Sequence, residues 1–435
     1  MIFFDQSVET MPRKALESLQ IEKLRSMLKK IYGRNRFYTD KFDTAGIHPE
    51  SIRTLDALAS LPLTTKAELV QAQSDASPFG TNTTFSESDY SRFHQTSGTT
   101  GTPLRVLDTP ESWDWWGHCW GYVLAGAGLT ENDRLFVPFS FGPFIGFWAA
   151  VEGAKKIKAL MIPGGGRDSL QRLHLMRELG ATAICCTPTY ALRLAEVAQE
   201  SGFDLSVIPL QKLIHAGEPG ANVPSTKARI ESIWNAKCFD HAGASEIGAH
   251  SFECEIQPNG THVNESEFIV EVLDPQTLEP VPEGEQGELI ITNLGRIGYP
   301  AIRYRSGDLV RLNLEPCPCG RTFARFEGGV LGRADDMVVV RGINVFPSAV
   351  ENLIRQCESV VEFRITVSTK REMAHLAIEL ELSKNANPDS EPDNARKAVC
   401  QAIQHELSLR PEIMVVPSGT LPRFEMKAKR FHVKK

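Results

Sequence analysis

A short stretch rich in glycine and hydroxyl side chains, residues 94–106, reads HQTSGTTGTPLRV. Its centre is formed by Thr96, Ser97, Gly98, Thr99, Thr100 and Gly101. Backbone N–H groups and hydroxyls on such a turn can bind phosphate oxygens, because glycine lets the backbone approach closely. The lysine of the common phosphate-binding loop is missing, and Thr102 stands where a cation could lie. The stretch predicts a phosphate-binding loop without its own cation, and a plain surface turn is the alternative.

A second group of residues has the side chains of a metal site. The segments CEIQPNGTH (254–262) and CPCG (317–320) contain Cys254, His262, Cys317 and Cys319. Three thiolates and one imidazole form a closed tetrahedral set suited to structural Zn²⁺. The chain has nine cysteines, an odd number that argues against a disulfide framework. We therefore expect a structural Zn²⁺ here, with a reduced loop that binds no metal as the alternative.

The overall composition excludes several classes of protein. The chain has 435 residues, 42% of them hydrophobic and 23% charged, which is typical of a soluble protein of two or three domains. It contains no run of about 20 apolar residues, and its first residues lack the pattern of a secretory signal, so we expect a cytoplasmic protein without a membrane partner. A net charge of −7 gives no reason to expect nucleic-acid binding.

The elements that must position these residues follow a strand–helix alternation. From about 133 to 330, short apolar runs such as RLFVPF and ATAICCTPT alternate with helical patterns such as DSLQRLHLMRELG. This alternation predicts parallel sheets covered by helices. In the N-terminal part, TTKAELVQA (64–72) predicts a helix with a threonine cap and Glu68 one turn later.

After position 336 the pattern changes to a compact α+β unit. It predicts a helix from 348, strands at 360–368 and 374–382, and a helix at 394–408. The expected fold class is α/β, with a large multi-sheet N-terminal domain at 1–333. A short hinge at 334–336 and a small mobile α+β C-terminal domain at 337–435 complete the prediction.

Further motifs occur in one order along the chain: QTSGTTGTP, CTPTYAL, HAGASE, YRSGD, EPCPCGRT, GRADDMVVVRG and PRFEMKAKR. With these motifs the chain resembles the adenylate-forming superfamily, and within it the phenylacetate–CoA ligase family, nearly end to end. The resemblance implies that the domain at 1–333 is an adenylation domain that binds ATP and the acid, and that Mg-ATP activates a carboxylate to an acyl-adenylate. The small domain then rotates, and the thiol of coenzyme A displaces AMP. Members often form homodimers, and nothing in the sequence identifies an interface.

The resemblance also implies nucleotide-binding roles for particular residues. Two turns border the nucleotide: HAGEPG supplies Gly217, Glu218 and Pro219, and DHAGASE supplies Asp240, His241, Ala242, Gly243 and Ser245. Ala242 departs from the family, which usually has an aromatic residue there. Ser245 is expected at the α-phosphate, Asp308 at the ribose hydroxyls and Arg333 near the ribose or phosphate. Asp335 is the expected hinge residue, and Gly342 leaves room for the pantetheine arm of CoA.

By the same resemblance, three residues act directly on the reacting groups. Lys427 matches the mobile lysine that stabilises negative charge in the adenylation transition state, and Lys429 is the alternative assignment. Glu246 binds Mg²⁺ through a hard oxygen. Thr99, together with Thr100, assists the phosphates and Mg²⁺. Family members commonly have a lysine at the position of Thr102, so this chain departs from the pattern there.

Aromatic residues concentrate in FVPFSFGPFIGFW (136–148). We expect the acid pocket between this segment and 215–243, with Phe136, Phe139, Phe141, Phe144 and Ala216 in its wall. Aromatic faces and edges favour a planar aryl or arylacetic acid. Two alternatives remain open. One is an adenylating enzyme that delivers the acyl group to a carrier protein or an amine, and the other is a non-catalytic nucleotide-binding relative.

Overall fold

The computed structural model describes residues 2–96, 102–140, 142–143, 145–340, 343–370, 373–384, 386–424 and 428–434. Its helices in the first 340 residues are α1 (Gln6–Glu9), α2 (Arg13–Ile31), α3 (Arg36–Thr44), α4 (Lys66–Asp75), α5 (Pro110–Gly126), α6 (Gly146–Lys156), α7 (Ser169–Glu178), α8 (Pro188–Ser201) and α9 (Pro224–Trp234). Beyond them lie α10 (Pro347–Arg355) and α11 (Glu391–Leu407).

The strands before residue 300 are β1 (Arg92–Gln95), β2 (Arg105–Asp108), β3 (Arg134–Val137), β4 (Leu160–Pro163), β5 (Ala183–Cys186), β6 (Lys212–His215), β7 (Lys237–Ala244), β8 (Gly248–Phe252), β9 (Gly260–Val263), β10 (Phe268–Leu273) and β11 (Gln286–Asn293). The later strands are β12 (Tyr304–Asn313), β13 (Arg325–Glu327), β14 (Gly332–Arg333), β15 (Val338–Val340), β16 (Ile343–Val345), β17 (Val360–Lys370), β18 (Met373–Leu382), β19 (Glu412–Val416) and β20 (Phe431–Lys434).

The main sheet of the N-terminal part has a parallel half and an antiparallel half. Strands β4, β3, β5, β6 and β7 are parallel neighbours in that order. From β7 the sheet continues antiparallel through β8, β9, β13, β12, β11 and β10. The strand–helix alternation that the sequence predicts from about 133 to 330 is present in the parallel half and ends at β7, so the prediction of parallel strands up to 330 is wrong. The antiparallel half comes from the strand-rich segment after residue 237.

The helix beginnings have chemical signals that the sequence displays. Helix α4 begins after Thr65, whose hydroxyl accepts from the backbone N–H of Glu68, and the Glu68 carboxylate accepts from the backbone N–H of Thr65. This reciprocal pair satisfies two N–H groups that a helix start leaves free. The predicted cap of α4 is therefore present. Helix α8 begins with Pro188 after a Thr187 cap, and Gly202, which follows its last residue, has the left-handed conformation.

The C-terminal part has its own sheet and core. Strands β19, β18, β17 and β20 form one sheet, with β15 and β16 as a separate ribbon. Helices α10 and α11 cover it, and the core between them includes Val350, Phe363, Ile378 and Val399. With the large mixed sheet, this small α+β unit confirms the predicted fold class. Among the described residues, no helix is both long and apolar enough to cross a membrane.

Candidate active site

The candidate site lies at the carboxyl ends of neighbouring parallel strands. Cys186 and His215, the last residues of β5 and β6, pair in register with each other, and His215 pairs with Asp240 in the middle of β7. The turns that follow therefore emerge side by side at one edge of the sheet, where ligands bind in open α/β sheets. The turn after β6 carries residues 216–219, and the second half of β7 with the turn that follows it carries residues 240–246. Two of the predicted segments are thus neighbours.

The turn after β6 has a backbone that favours glycine. Gly217 has φ +96°, in the region that side chains with a Cβ rarely adopt. A Cβ added to Gly220 would lie 2.4 Å from the Cβ of Pro188, so the turn packs against the first residue of α8. His215, just before the turn, is fully buried, and its Nδ1 lies 3.0 Å from the carbonyl oxygen of Cys186. Burial lowers the pKa of His215 to about 4, so the ring is neutral near pH 7.

Glu218 uses its side chain to join the two parts of the chain. Its Oε1 accepts from the backbone N–H of Thr189 at 2.8 Å, and its Oε2 accepts from the backbone N–H of Ala428 at 2.7 Å. We expected this residue to offer backbone contacts to the nucleotide, whereas its carboxylate holds a C-terminal segment. Ala428 is the neighbour of the predicted catalytic Lys427, which lies outside the described residues.

Arg430 strengthens this junction from the C-terminal side. Its Nη1 donates to the hydroxyl of Thr189 at 3.1 Å, and its Nε and Nη2 donate to the carboxylate of Glu362 at 2.5 and 3.0 Å. Burial of this two-pronged pair strengthens its electrostatic attraction and orients the arginine. In the sequence, Arg430 belongs to a basic tail whose pattern resembles a solvated surface, and no signal there indicates that it is buried.

Glu246, the predicted Mg²⁺ ligand, is buried beside two side chains that sequence reasoning missed. The hydroxyl of Tyr304 donates to its Oε1 at 2.9 Å, and Nζ of Lys66 lies 3.5 Å from the same oxygen. Burial and the charge of Glu246 raise the pKa of Tyr304, so the phenol stays protonated and acts as the donor. A held carboxylate fits Mg²⁺, which is usually bound by one or two carboxylates plus substrate phosphates.

The position of Ser245 depends on a buried ion pair. Arg296 donates to both oxygens of Asp108 at 2.6 and 2.7 Å, and its Nη1 donates to the carbonyl oxygen of Ser245 at 2.6 Å. Asp108 and Arg296 are both completely buried. Sequence reasoning missed this pair, because an arginine in LGRIGYP and an aspartate 188 residues earlier show no pattern that links them.

Asp308, Arg333 and Asp335 form one ionic group, which includes the predicted hinge residue. Asp308 on β12 pairs in register with Arg333 on β14, and Nη1 of Arg333 lies 3.3 Å from Oδ1 of Asp308. Nε and Nη2 of the same arginine donate to the carboxylate of Asp335 at 2.8 and 3.0 Å. The predicted ribose ligand and the predicted hinge residue therefore share one guanidinium.

The strand end at 240–243 has a half-buried small residue where the family has an aromatic one. Ala242 pairs with Ser251 across β8. His241 is buried, with Nδ1 2.7 Å from the carbonyl oxygen of Ser251, and burial lowers its pKa to about 4. Burial, together with repulsion from Glu253, raises the pKa of Asp240 to about 7. Gly243 and Pro219 are exposed at this edge.

The predicted phosphate loop connects two paired strands. Thr96 follows β1 and is buried; its backbone N–H donates to the carbonyl oxygen of Leu104, and its hydroxyl accepts from the N–H of Leu104 at 3.0 Å. Strands β1 and β2, which flank the loop in the sequence, are thus paired in an antiparallel hairpin. Thr102, which follows the loop on the side of β2, is exposed. Outside the described residues lie Ser97, Gly98, Thr99, Thr100, Gly101, Phe141, Phe144, Gly342 and Lys427.

The aromatic segment contains one residue in the core of the sheet and one beyond the end of a strand. Phe136 is fully buried in β3, with its ring against Gly164. Phe139 follows the carboxyl end of the strand, and its ring stacks on Phe147 with centroids 3.9 Å apart and planes 4° apart. The ring of Tyr190, near the start of α8, lies 6.1 Å from Phe139. Ala216 is half-buried in the turn after β6.

The four predicted zinc ligands come together from three segments. Their ligand atoms, on Cys254, His262, Cys317 and Cys319, all lie within 4.8 Å of one another. The two sulfurs of Cys254 and Cys317 are 3.9 Å apart, and Sγ of Cys319 is 3.5 Å from Nε2 of His262. A tetrahedron with Zn–S near 2.3 Å and Zn–N near 2.0 Å has edges of about 3.8 and 3.5 Å. These distances fit a zinc ion.

The imidazole of this cluster is also held from its other side. Nδ1 of His262 lies 3.3 Å from the carbonyl oxygen of Phe323, so that Nδ1 can donate and Nε2 can bind metal. All four residues are buried, and their cysteines are free thiols. The donor set and its outer contacts therefore have the features of a structural metal site.

Comparisons with known proteins agree with these observations. Residues 39–295 match the model of the AMP-binding enzyme family, and residues 342–435 match that of the AMP-binding enzyme C-terminal domain. The chain is 32% identical to a phenylacetate-coenzyme A ligase of Escherichia coli strain K12, over 97% of this chain and 96% of that protein.

The whole-chain arrangement resembles a solved ligase in one of its states. A 2-hydroxyisobutyryl-CoA ligase in the postadenylation state, in complex with 2-HIB-AMP, overlays with a TM-score of 0.94 at 28% identity, covering 99% of this chain and 92% of that chain. The same ligase in the thioesterification state, with 2-HIB-AMP and CoA, gives 0.74 at 29% identity, covering 98% and 91%. The two parts of this chain are therefore arranged as in the first state. Matched by the family model over more than half of its length and by a curated relative nearly end to end, the chain belongs to the AMP-binding enzyme family of adenylate-forming acid–CoA ligases.

Proposed function

We propose that this protein is an ATP-dependent CoA ligase for an aromatic carboxylic acid, acting through an acyl-adenylate and releasing AMP and pyrophosphate. The observation that carries the proposal is the contact between Ala428, the residue next to Lys427 in the sequence, and Glu218 in the turn after β6. A cation delivered there would stabilise the charge that develops between the acid and the α-phosphate. Glu246, Ser245 and Asp308 would bind the metal, the α-phosphate and the ribose.

Two observations support an aromatic acid. The stacked rings of Phe139 and Phe147 lie beyond the carboxyl end of β3, at the same sheet edge as His215 and Ala216. A flat aromatic face favours a planar acid. The relative from Escherichia coli is a phenylacetate–CoA ligase, which supports the same class.

A short branched hydroxy acid is a second candidate. The solved ligase with the same arrangement of both parts holds the adenylate of 2-hydroxyisobutyrate, at an identity close to that of the aromatic-acid relative. Aliphatic and aromatic acids are therefore both to be tested. A carrier protein or an amine as acceptor would leave the activation step unchanged and remove the requirement for free CoA.

The test measures AMP release from Mg-ATP with phenylacetate, benzoate, indoleacetate, 2-hydroxyisobutyrate and acetate, each with and without CoA, with products identified by mass. We expect a thioester from an aryl or arylacetic acid and CoA. Thioester from 2-hydroxyisobutyrate alone would favour the second candidate, and AMP without thioester would favour another acceptor. Absence of turnover with every acid would contradict the proposal.

A pair of variants tests the role of the lysine. Lys427→Ala is expected to lose adenylate formation by about 100-fold or more, because charge stabilisation in the transition state is removed. Lys429→Ala, two positions further along, serves as the matched control and is expected to keep most activity. Near-normal adenylation by Lys427→Ala would contradict the assignment.

We also propose that Mg²⁺ binds at Glu246 and that a structural Zn²⁺ binds at Cys254, His262, Cys317 and Cys319. Bound zinc would crosslink β9 to the segments around Cys254 and Cys317 and would supply folding free energy without taking part in the reaction. The distances within the cluster and the orientation of His262 support this assignment.

A further inference from the structure

Lys66, the first residue of α4, lies close to Glu246, the carboxylate that we propose binds Mg²⁺. Nζ of Lys66 lies 3.5 Å from Oε1 of Glu246. This distance is longer than a hydrogen bond, so the ammonium is loosely paired. The lysine side chain is 44% exposed, whereas that of Glu246 is 8% exposed. The cation therefore reaches from solvent to the buried carboxylate.

Strand β12 positions both Lys66 and Glu246. Thr64 forms a bridge to Tyr304 at the start of β12: its backbone N–H donates to the carbonyl of Arg303, and its carbonyl accepts from the N–H of Arg305. The hydroxyl of Tyr304 in turn holds Glu246. Lys66 follows Thr64 by two residues, so its approach to Glu246 is determined by backbone pairing and does not depend on a free loop.

Helix stability does not account for a lysine at this position. Lys66 is the first residue of α4, where the helix dipole disfavours a positive charge. The helix start already has its capping box between Thr65 and Glu68, and Glu68 forms its ion pair with Lys41 at 2.5 Å. Replacing Lys66 with a neutral residue is therefore expected to leave α4 as stable or slightly more stable.

Helix α4 is attached to the predicted phosphate loop as well. Gln73 donates to the carbonyl oxygen of Pro103 at 3.1 Å and accepts from the backbone N–H of Arg105 at 2.7 Å. These two residues follow Thr102, the position at the end of the loop that lacks a cation. The helix that begins with Lys66 thus holds the base of the loop that is short of positive charge.

We propose that Lys66 binds the β- and γ-phosphates of ATP and supplies the positive charge that the loop lacks. The inference rests on the proposed function, with Mg²⁺ at Glu246. Glu246 would hold the Mg²⁺ that accompanies the phosphates, and Nζ of Lys66 lies 3.5 Å from its Oε1, so the ammonium would lie next to phosphates bound there. In adenylation, a carboxylate oxygen of the acid bonds to the α-phosphorus while the bond to the β-phosphate oxygen breaks. The electron pair leaves with pyrophosphate, whose charge Lys66 neutralises.

The test compares the binding of ATP and AMP, because AMP lacks the two phosphates concerned. Calorimetry gives the Kd of each nucleotide, with and without Mg²⁺, for the wild type, Lys66→Ala and Lys66→Arg. For Lys66→Ala we expect Kd for ATP to rise about 10- to 100-fold, the size of a lost charge-assisted contact, and Kd for AMP to change less than about threefold. Lys66→Arg is expected to stay within about fivefold of wild type for ATP, since the charge is kept.

Two further variants and a stability measurement complete the test. Lys155→Ala is the matched control, because Lys155 is an exposed lysine with an equally loose partner, 3.9 Å from Glu152. Thr102→Lys added to Lys66→Ala is expected to regain ATP affinity, since a cation at the end of the loop serves the same phosphates. The Tm of Lys66→Ala is expected to equal or exceed that of the wild type.

Several results would overturn the inference. They are wild-type ATP affinity in Lys66→Ala, equal losses for ATP and AMP, no recovery of affinity with Thr102→Lys, or a fall in Tm that Lys66→Arg does not reverse. The proposed function fails separately: a wild-type protein that binds ATP and turns over none of the acids would contradict the function and leave the binding comparison valid.

Discussion

The carboxylate of Glu218 accepts a hydrogen bond from the backbone N–H of Ala428 at 2.7 Å, across 210 residues of sequence. The other carboxylate oxygen accepts from the N–H of Thr189 at the start of α8. One side chain thus joins Ala428, the residue after the expected catalytic Lys427, to the turn after β6, which is predicted to border the nucleotide. The contact exists in the arrangement that matches a postadenylation structure, and a rotation of the small domain has to break it.

We predict that Glu218→Ala separates the two half-reactions. Adenylate formation is expected to fall about 10-fold, which corresponds to the loss of the hydrogen bond from Ala428 to a charged acceptor. Thioester formation from added acyl-adenylate and CoA is expected to stay within about threefold of wild type, because the small domain has by then left this contact. The measurement is pyrophosphate exchange for the first step and thioester appearance for the second.

Glu131→Ala, in an exposed turn, is the control for Glu218→Ala. Equal losses in both half-reactions would indicate that Glu218 serves the fold of the N-terminal part and does not position the lysine segment.

The buried pair of Arg296 and Asp108 gives a second prediction. Arg296→Met leaves Asp108 buried without its partner and is expected to lower the free energy of unfolding by about 3–5 kcal/mol. Adding Asp108→Leu removes the unpaired charge and is expected to restore most of that stability. Activity is expected to stay low in the double variant, because the carbonyl of Ser245 has lost the donor that holds it.

Urea unfolding and adenylation assays on both variants check this prediction. The exposed pair of Lys156 and Asp114 supplies the control, and Lys156→Ala is expected to cost less than about 1 kcal/mol. Full activity in the stabilised double variant would contradict a role for Arg296 in positioning Ser245.

The proposed zinc site gives a third prediction. Protein purified without chelator is expected to contain about one zinc per chain by mass spectrometry of the metal, and Cys317→Ser is expected to lose it. The Tm of this variant is expected to fall, because a structural zinc contributes folding free energy. Nucleotide binding is expected to weaken too, since Glu253, next to Cys254, accepts from the backbone N–H of Asp240 at 2.8 Å.

The matched control is Cys357→Ser, because Cys357 lies in the C-terminal part beside Ser359, away from the cluster. We expect it to keep both zinc and Tm. Protein without zinc, in which the thiol of Cys317 reacts freely, would support the alternative of an unmetallated loop.

Stability is predicted to fall in mild acid, partly through His250. This residue is buried between the rings of Phe268 and Phe326, and burial lowers its pKa to about 3. In the unfolded chain a histidine has a pKa of about 6.5, so below that pH the unfolded state binds a proton that the folded state does not. The contribution of His250 is thus present above pH 6.5 and is lost as the pH falls; from pH 7 to pH 5 the loss is about 2 kcal/mol.

His250→Phe removes the titrating group and keeps an aromatic ring in the cluster. Urea unfolding at pH 7, 6 and 5 is expected to show a decline that is smaller than in the wild type by about 2 kcal/mol over this range. The same decline in both proteins would show that His250 is not protonated on unfolding. The comparison uses the pH dependence, so a change in packing that is equal at every pH does not affect it.

The sequence alone determined the features that are local in the chain. The capping box of Thr65 and Glu68 starts α4 as predicted, because both partners lie within one turn. The strand–helix alternation before residue 237 gave the parallel half of the sheet, since each run of apolar residues must be buried between covering helices. The motifs, read in order, identified the family and the chemistry of acid activation.

Tertiary structure decided which distant groups meet. Lys66 meets Glu246, Glu218 meets Ala428, and Arg296 meets Asp108, each pair separated by at least about 180 residues in the sequence. No spacing rule links such residues, because long-range pairing and domain arrangement bring them together. Arg430 likewise belongs to a basic tail in the sequence, and only its place between Thr189 and Glu362 shows that it is buried. A charged side chain that satisfies a buried partner has the same letter in the sequence as one that faces water, and the difference is made by the surfaces that fold around it.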